Sequence, residues 1–261
     1  QEQCDVLKWL RQLGARKTAD AAVPRPRVLI VRGKYDAAQT TYENRRHWAN
    51  ADLLSANAAA STDVRRILRS RARYEVANNS YARGIVSTLA NYIVGTGPRL
   101  QMLTDDPEAN RVVEKEFSRW AKAIALAHKL RTMRVGQCES GECFGLLTSN
   151  PRIAAPVQLD VRLIEADQVA SPWPTPAYRR DAGTTVDGIV FDEFGNPVAY
   201  TILRRHPGDN TAFRNGGTDF DDMPVESVIH LFRAERPGQS RGIPEITPAL
   251  PLFAMLRRYT L

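Results

Sequence analysis

Four short stretches of this chain gather residue types that can do chemistry. Residues 65–73 carry five arginines: Arg65, Arg66, Arg69, Arg71 and Arg73. Guanidiniums at that density can contact phosphates without reading a base sequence. They can equally form a solvated helix face or subunit-interface ion pairs, such as Arg71 with Glu75 one turn on. "CESGEC" sets Cys138 and Cys143 five residues apart with His128 nearby, but a structural zinc site needs a second pair of ligands and none follows. Cys143 with His230 would make a nucleophile and its base only if the fold joined them. Asp219, Asp221 and Asp222 form an acidic cluster in a Gly-rich loop that lacks the twelve-residue calcium pattern. "VGTGPRL" has the glycines of a phosphate-cradling loop, yet it follows a helical pattern, places Pro98 where a helix should begin, and lacks the Lys-Ser/Thr pair. It reads as a helix C-cap. With no GxSxG or HExxH motif either, the residues predict no catalytic group, no metal ligand and no cofactor.

The elements that must position the arginines follow from hydrophobic period. "STD" at residues 61–63 offers an N-cap, and Val64, Leu68, Ala72 and Val76 form one apolar stripe, with Arg65, Arg69 and Arg73 on a different face. This predicts a half-exposed basic helix. Asn78, Asn79 and Ser80 break it. The next helix carries Tyr81, Ile85, Leu89 and Ile93 on one row and Ala82, Val86, Ala90 and Val94 on the adjacent row, which predicts that it is largely buried. Gly95 and Gly97 end it. A third helix starts at Asp106–Pro107 with the core stripe Val113, Phe117, Trp120 and Ile124, and a fourth spans 127–139. Beyond Gly141 the period changes to two: "CFGLLTS", "VQLDVRLI", "GIVFDEFGNPVAYTIL" and "VIHLFR" read as strands, with "FGNP" a hairpin turn. "SPWPTPAYRRDAGTT" and "PGDNTAFRNGGTDFDDMP" read as long polar loops. Helices, then strands, then a closing helix predict an α+β fold.

Bulk properties narrow the function classes. A hydrophobic share of 43% and a charged share of 25% are those of a globular protein, and 36 basic against 29 acidic residues leave a net charge of +7. That surplus permits a polyanionic partner without requiring one. Three cysteines are too few for a disulfide framework and fit a reducing compartment. No apolar run reaches the roughly 20 residues of a membrane helix. "DVLKWLRQL" at 5–13 is a short amphipathic helix, followed by a Pro-broken arm to about residue 60. Gln1 in place of Met, and "LPLFAMLRRYTL" as a helix without a stop signal, lead to the expectation of a piece of a longer chain.

Five of these segments, taken in order, resemble the lambda-type portal proteins of tailed phages. "RARYEVANNSYARGIVSTLANYIVGTGPRLQ", "RVGQCESGECFGLL", "LIEADQVASP", "GIVFDEFGNPVAYTI" and "VIHLFRAERPGQSRGIPEITPAL" span roughly residues 42–261. The positions carrying the resemblance are Asn78, Asn79, Tyr81, Gly95, Gly97, Gly141, Glu142, Gly195, Pro197, Arg241 and Gly242. The resemblance implies a non-enzymatic structural protein of the virion that forms a ring, usually a dodecamer, at one capsid vertex. Double-stranded DNA would pass through it non-specifically. Its partners would be capsid and scaffold proteins, the terminase large subunit and a head–tail adaptor, with assembly in the host cytoplasm and no membrane. By the same resemblance, 1–60 is an N-terminal arm, 61–140 and 141–235 are the helical and β-rich parts of the wing, and 236–261 leads toward a missing stem. The five arginines are then subunit-interface candidates first and DNA contacts second. A monomeric basic nucleic-acid-binding module of a mobile element is the alternative, and a cysteine hydrolase using Cys143 a weaker one.

Overall fold

The computed structural model describes residues 35–171, 184–209 and 219–260. The helix expected at 5–13 and most of the arm lie outside them. Residues 1–51 and 52–261 form separate units. In the first, a 3-10 turn at Asp36–Ala38 precedes a run of turns in which Arg45 lies over the Tyr42 ring.

The second unit opens with a short helix, α1 (Ala56–Ala59), and then two longer ones joined end to end, α2 (Thr62–Asn78) and α3 (Ser80–Val94). Asn79 makes the joint. Its side chain accepts from the Tyr81 and Ala82 amides and donates to the buried Glu75 carboxylate, which therefore serves Asn79 and not Arg71. Asn78 bonds back to the Tyr74 carbonyl. The Gly95 amide closes α3 on the Asn91 carbonyl, and Gly97 follows against Ala127.

Asp106 caps α4 (Pro107–Ala123) as its sequence predicts, accepting from Glu108 and Ala109 amides. Only part of its expected stripe is covered: Ile124 is buried, Phe117 and Trp120 are half-buried, and Val113 is exposed. A left-handed Ala125 then starts α5 (Leu126–Ser140).

Among the described residues, seven strands make two antiparallel sheets. β1 (Glu142–Ser149) is flanked by β2 (Leu159–Ile164) and β7 (Val228–Phe232). The second sheet runs β3 (Thr184–Val186), β4 (Ile189–Phe191), β5 (Pro197–Leu203) and β6 (Phe220–Pro224). Gly195 turns β4 into β5 in the expected hairpin, and Pro197 pairs with Phe191. α6 (Leu250–Thr260) closes the chain. The fold is α+β, as the order of periods predicts. β6 and the first two residues of β3 fall inside stretches read as loops, because each strand is short and polar.

β1 is covered on both faces, which accounts for its unbroken apolar run. Phe144 and Leu146 pack with Ile189, Tyr200 and Ile202 of the second sheet. The alternate residues Cys143 and Gly145 face α5, where they meet Gly136 and Met133. A separate helical core joins Ala72, Val76, Ala82, Val86 and Cys138 to Leu250 and Phe253.

Two predictions about the helices are corrected. In α2 the arginine face is the inner one: Arg65 is 2% exposed and Arg69 5%, while Val64 and Ile67 lie on the surface. In α3 only the row Ala82, Val86 and Ala90 is buried, and Tyr81, Ile85, Leu89 and Ile93 are exposed. Both readings ranked residues by hydrophobicity alone; Ala72 and Val76 of the α2 stripe are buried as expected, but the packing partners also bury Arg65 and Arg69 and leave Val64 and the large row of α3 exposed.

Candidate functional site

The inner face of α2 meets the start of β1 in a buried junction of charged groups. Glu142 is its centre. It follows Gly141, whose backbone is left-handed at φ +86° and whose missing side chain leaves room for the Ile243 backbone. A Cβ on Gly242 would stand 2.0 Å from the Gly141 carbonyl oxygen, so the two chain segments touch only because both residues are glycine. That approach puts the Gly242 amide 3.0 Å from Glu142 Oε2 and delivers Arg241 beside it.

Arg241, wholly buried, donates through Nε to both Glu142 oxygens at 3.0 Å, and its Nη2 forms an ion pair with Oε1 at 2.8 Å. Its remaining N–H groups reach the carbonyls of Ala166 at 3.1 Å, Val169 at 3.0 Å, and Asp187. Each of the three guanidinium nitrogens therefore has a hydrogen-bond partner. Arg69 adds a second guanidinium to Glu142 Oε1 and donates through Nε to the Ser140 carbonyl at 3.0 Å. His230 closes the fourth side at 3.0 Å from Oε2, stacked between Phe144 and Phe232 at 4.3 Å from each.

The outer ring balances the rest of the charge. Arg65 pairs with Asp187 and the Ala60 carbonyl. Arg73 pairs with Asp167 at 2.7 Å and Glu165 at 3.3 Å. Arg65, Arg69, Arg73 and Arg241 thus face Glu142, Glu165, Asp167 and Asp187, four cations on four anions.

Titration follows from this arrangement. Burial pushes the Glu142 carboxyl up, but the Arg241 charge, the hydrogen bonds from His230 and Arg241, and Arg69 outweigh it and hold the group well below the usual carboxylate range. Burial lowers His230 despite its bond to Glu142, so its ring is neutral and Nε2 carries the proton that the carboxylate accepts. Burial also lowers Arg65 and Arg69, whereas the opposing charge of Glu142 raises Arg241 against its own burial.

The structure separates the predicted arginines by helix period. Arg65, Arg69 and Arg73 turn inward, and Arg65 and Arg69 are buried against carboxylates of their own chain. Arg66 and Arg71 point outward and have no ion pair among the described residues. Gly141, Glu142, Arg241 and Gly242, far apart in sequence, meet at the junction. Asn78, Asn79, Tyr81, Gly95, Gly97, Gly195 and Pro197 lie at joints and turns away from it.

Sequence reasoning missed Asp167, Glu165 and Asp187. Asp187 carried a readable signal: with Gly188 it forms a two-residue hairpin loop between β3 and β4, both residues at positive φ, the Asp-Gly pattern of such turns.

Other candidate chemistry does not assemble. Cys143 faces α5 while His230 faces the other sheet, and burial first raises the Cys143 thiol to about 11 and the Cys138 thiol to about 12. Asp219 and Asp221 pair with Arg204, and Asp222 accepts from Thr201. Glu165, Asp167 and His206 bring three possible ligands within 4.8 Å. They do not fit a metal ion: His206 Nδ1 accepts from the Gly208 amide, so Nε2 holds the proton of a neutral ring, and Arg73 already sits on both carboxylates.

The junction is therefore a brace, and the comparisons with known proteins agree with a structural role. The family model "Phage portal protein, lambda family" matches residues 43–260. The chain belongs to the lambda family of phage portal proteins. A probable portal protein of Halomonas phage phiHAP-1 is 26% identical over 200 residues, covering 67% of this chain and 36% of that protein. The match thus takes in about a third of the relative's length. Portal proteins of this family are structural components of phage particles, and no described helix here is long and apolar enough to cross a membrane.

Proposed function

We propose that this chain is the wing-bearing part of a portal subunit that closes with copies of itself, about twelve in the full-length protein, into a ring at one capsid vertex. Double-stranded DNA passes non-specifically through the ring on packaging and ejection. The ring meets capsid and scaffold proteins around it, the terminase large subunit during packaging and a head–tail adaptor afterwards. The observation that carries this reading is the family match across residues 43–260.

The geometry supports it in two ways. A mechanical conduit needs a subunit that does not deform, and the junction ties α2, the first sheet and the segment before α6 to one carboxylate, while Arg241 reaches on to the β3–β4 turn of the second sheet. A ring also needs surface that neighbours cover, and the exposed row Tyr81, Ile85, Leu89 and Ile93 is such a surface. Arg66 and Arg71 remain for contacts with neighbours or DNA.

The alternative, a monomeric basic nucleic-acid-binding module, loses support because three of the five arginines that suggested it serve the chain's own carboxylates. Light scattering on a size-exclusion column decides between them, applied to this chain and to a C-terminally extended form. The extended form is expected to run as a closed ring. Two monomeric forms that bind duplex DNA with steep salt dependence would instead establish the binding module.

A further inference from the structure

Between the two sheets lies a half-open cavity of about 730 Å³ that the brace does not use. Its walls are aromatic: Phe191, Tyr200, His230 and Phe232. Its rim carries Asp192 and Glu193, and among the described residues lining it there is no lysine or arginine. In a chain with 36 basic residues that composition is selective.

Three of the polar groups in the lining can accept. Tyr200 is 3% exposed and its hydroxyl has no hydrogen-bond partner among the described residues. Because His230 spends its single proton on Glu142, its other ring nitrogen offers only a lone pair. Asp192 is bonded within its own turn, to the amides of Phe194 and Asn196, and Glu193 is exposed on the rim with no ion pair among the described residues. Aromatic faces, a phenol oxygen, an imidazole lone pair and a carboxylate all complement a cation that donates hydrogen bonds.

We propose that this groove receives the guanidinium or ammonium group of a basic side chain, supplied by a neighbouring copy of this chain. The assignment to a copy rests on the ring reading above and on charge complementarity: Arg66 and Arg71 are outward cations without an ion pair among the described residues. A head-to-tail ring places a socket and a plug on different faces of each subunit, so every copy supplies both.

The test has two arms. N-acetyl-arginine amide is titrated into the chain as it stands, and the ring resonances of Tyr200 and His230 are followed by NMR. Saturable shifts are expected, weaker at high salt and several-fold weaker in Glu193→Gln, with none from the uncharged citrulline analogue. No saturable shift, or equal binding of citrulline, would overturn the groove's specificity. In the extended form, Glu193→Lys is expected to lower the assembled mass and Arg66→Glu or Arg71→Glu to restore it. Arginine binding without that restoration would overturn the assignment to a copy. If the extended wild type does not assemble at all, the ring reading fails, and with it the assignment to a copy, while the titration still decides the chemistry of the groove.

Discussion

Helices α2 and α3 are consecutive, similar in length and joined at one asparagine, yet they treat their side chains in opposite ways. α2 buries Arg65 and Arg69 and exposes Ile67, whereas α3 exposes Tyr81, Ile85 and Ile93 and buries only Ala82, Val86 and Ala90. The difference lies in what each faces. α2 packs over Glu142, Asp167 and Asp187, where a guanidinium satisfies a buried charge that an aliphatic group would strand. α3 packs closely on α2 and α5 through small residues, and its large ones are exposed among the described residues. Burial thus follows partners, and a charged stripe can be the inner one.

The largest effects should come from breaking the inner face at its centre. Glu142→Gln leaves Arg69 and Arg241 buried without their anion and is expected to cost about 3–5 kcal/mol, read as a fall in the urea midpoint. Arg241→Lys should cost somewhat less, about 2–4 kcal/mol, because an ammonium cannot span the carboxylate and three carbonyls at once. Gly242→Ala forces the Gly141 contact apart and should cost about 1–3 kcal/mol by the same measurement.

Acid should loosen the same face in two stages. His230 has a lowered pKa in the fold, so the unfolded chain takes up that proton first, and stability begins to fall below about pH 6.5. Glu142 is also lowered, so its contribution is complete above about pH 4.3 and is lost below it, as pH falls toward the depressed folded value. The urea midpoint plotted against pH should show both, and His230→Gln should remove the first. The outer face should respond least. Arg66→Ser, Arg71→Ser and Leu89→Ser are each expected to move the midpoint by no more than about 0.5 kcal/mol. A larger loss from Arg66→Ser than from Glu142→Gln would break the contrast between the two faces.

Much of this was legible in the residues. The Asp106 cap, the helix at 127–139 (observed at 126–140) and the "FGNP" hairpin follow from local chemistry, which the chain carries within a few residues. The brace does not. Arg69 and Glu142 are 73 residues apart and Arg241 and Glu142 99, and no local pattern announces such a pairing. One hint was present: an acid, Glu142, opens the strand "ECFGLL", and a carboxylate at the head of so apolar a strand has to find a cation. The double apolar row of α3 misled for the complementary reason, since a face that a neighbouring molecule would cover has the same pattern as a face covered from within.

The coupling energy between Arg69 and Glu142 tests the inner-brace account most directly. A double-mutant cycle with Arg69→Met and Glu142→Gln, read by urea unfolding, is predicted to give a coupling of about 1–3 kcal/mol, because each single change takes from the other a close opposite charge. Additive losses, with the double variant as unstable as the sum of the two, would show that the buried pair does not hold α2 to the sheet and would contradict the account.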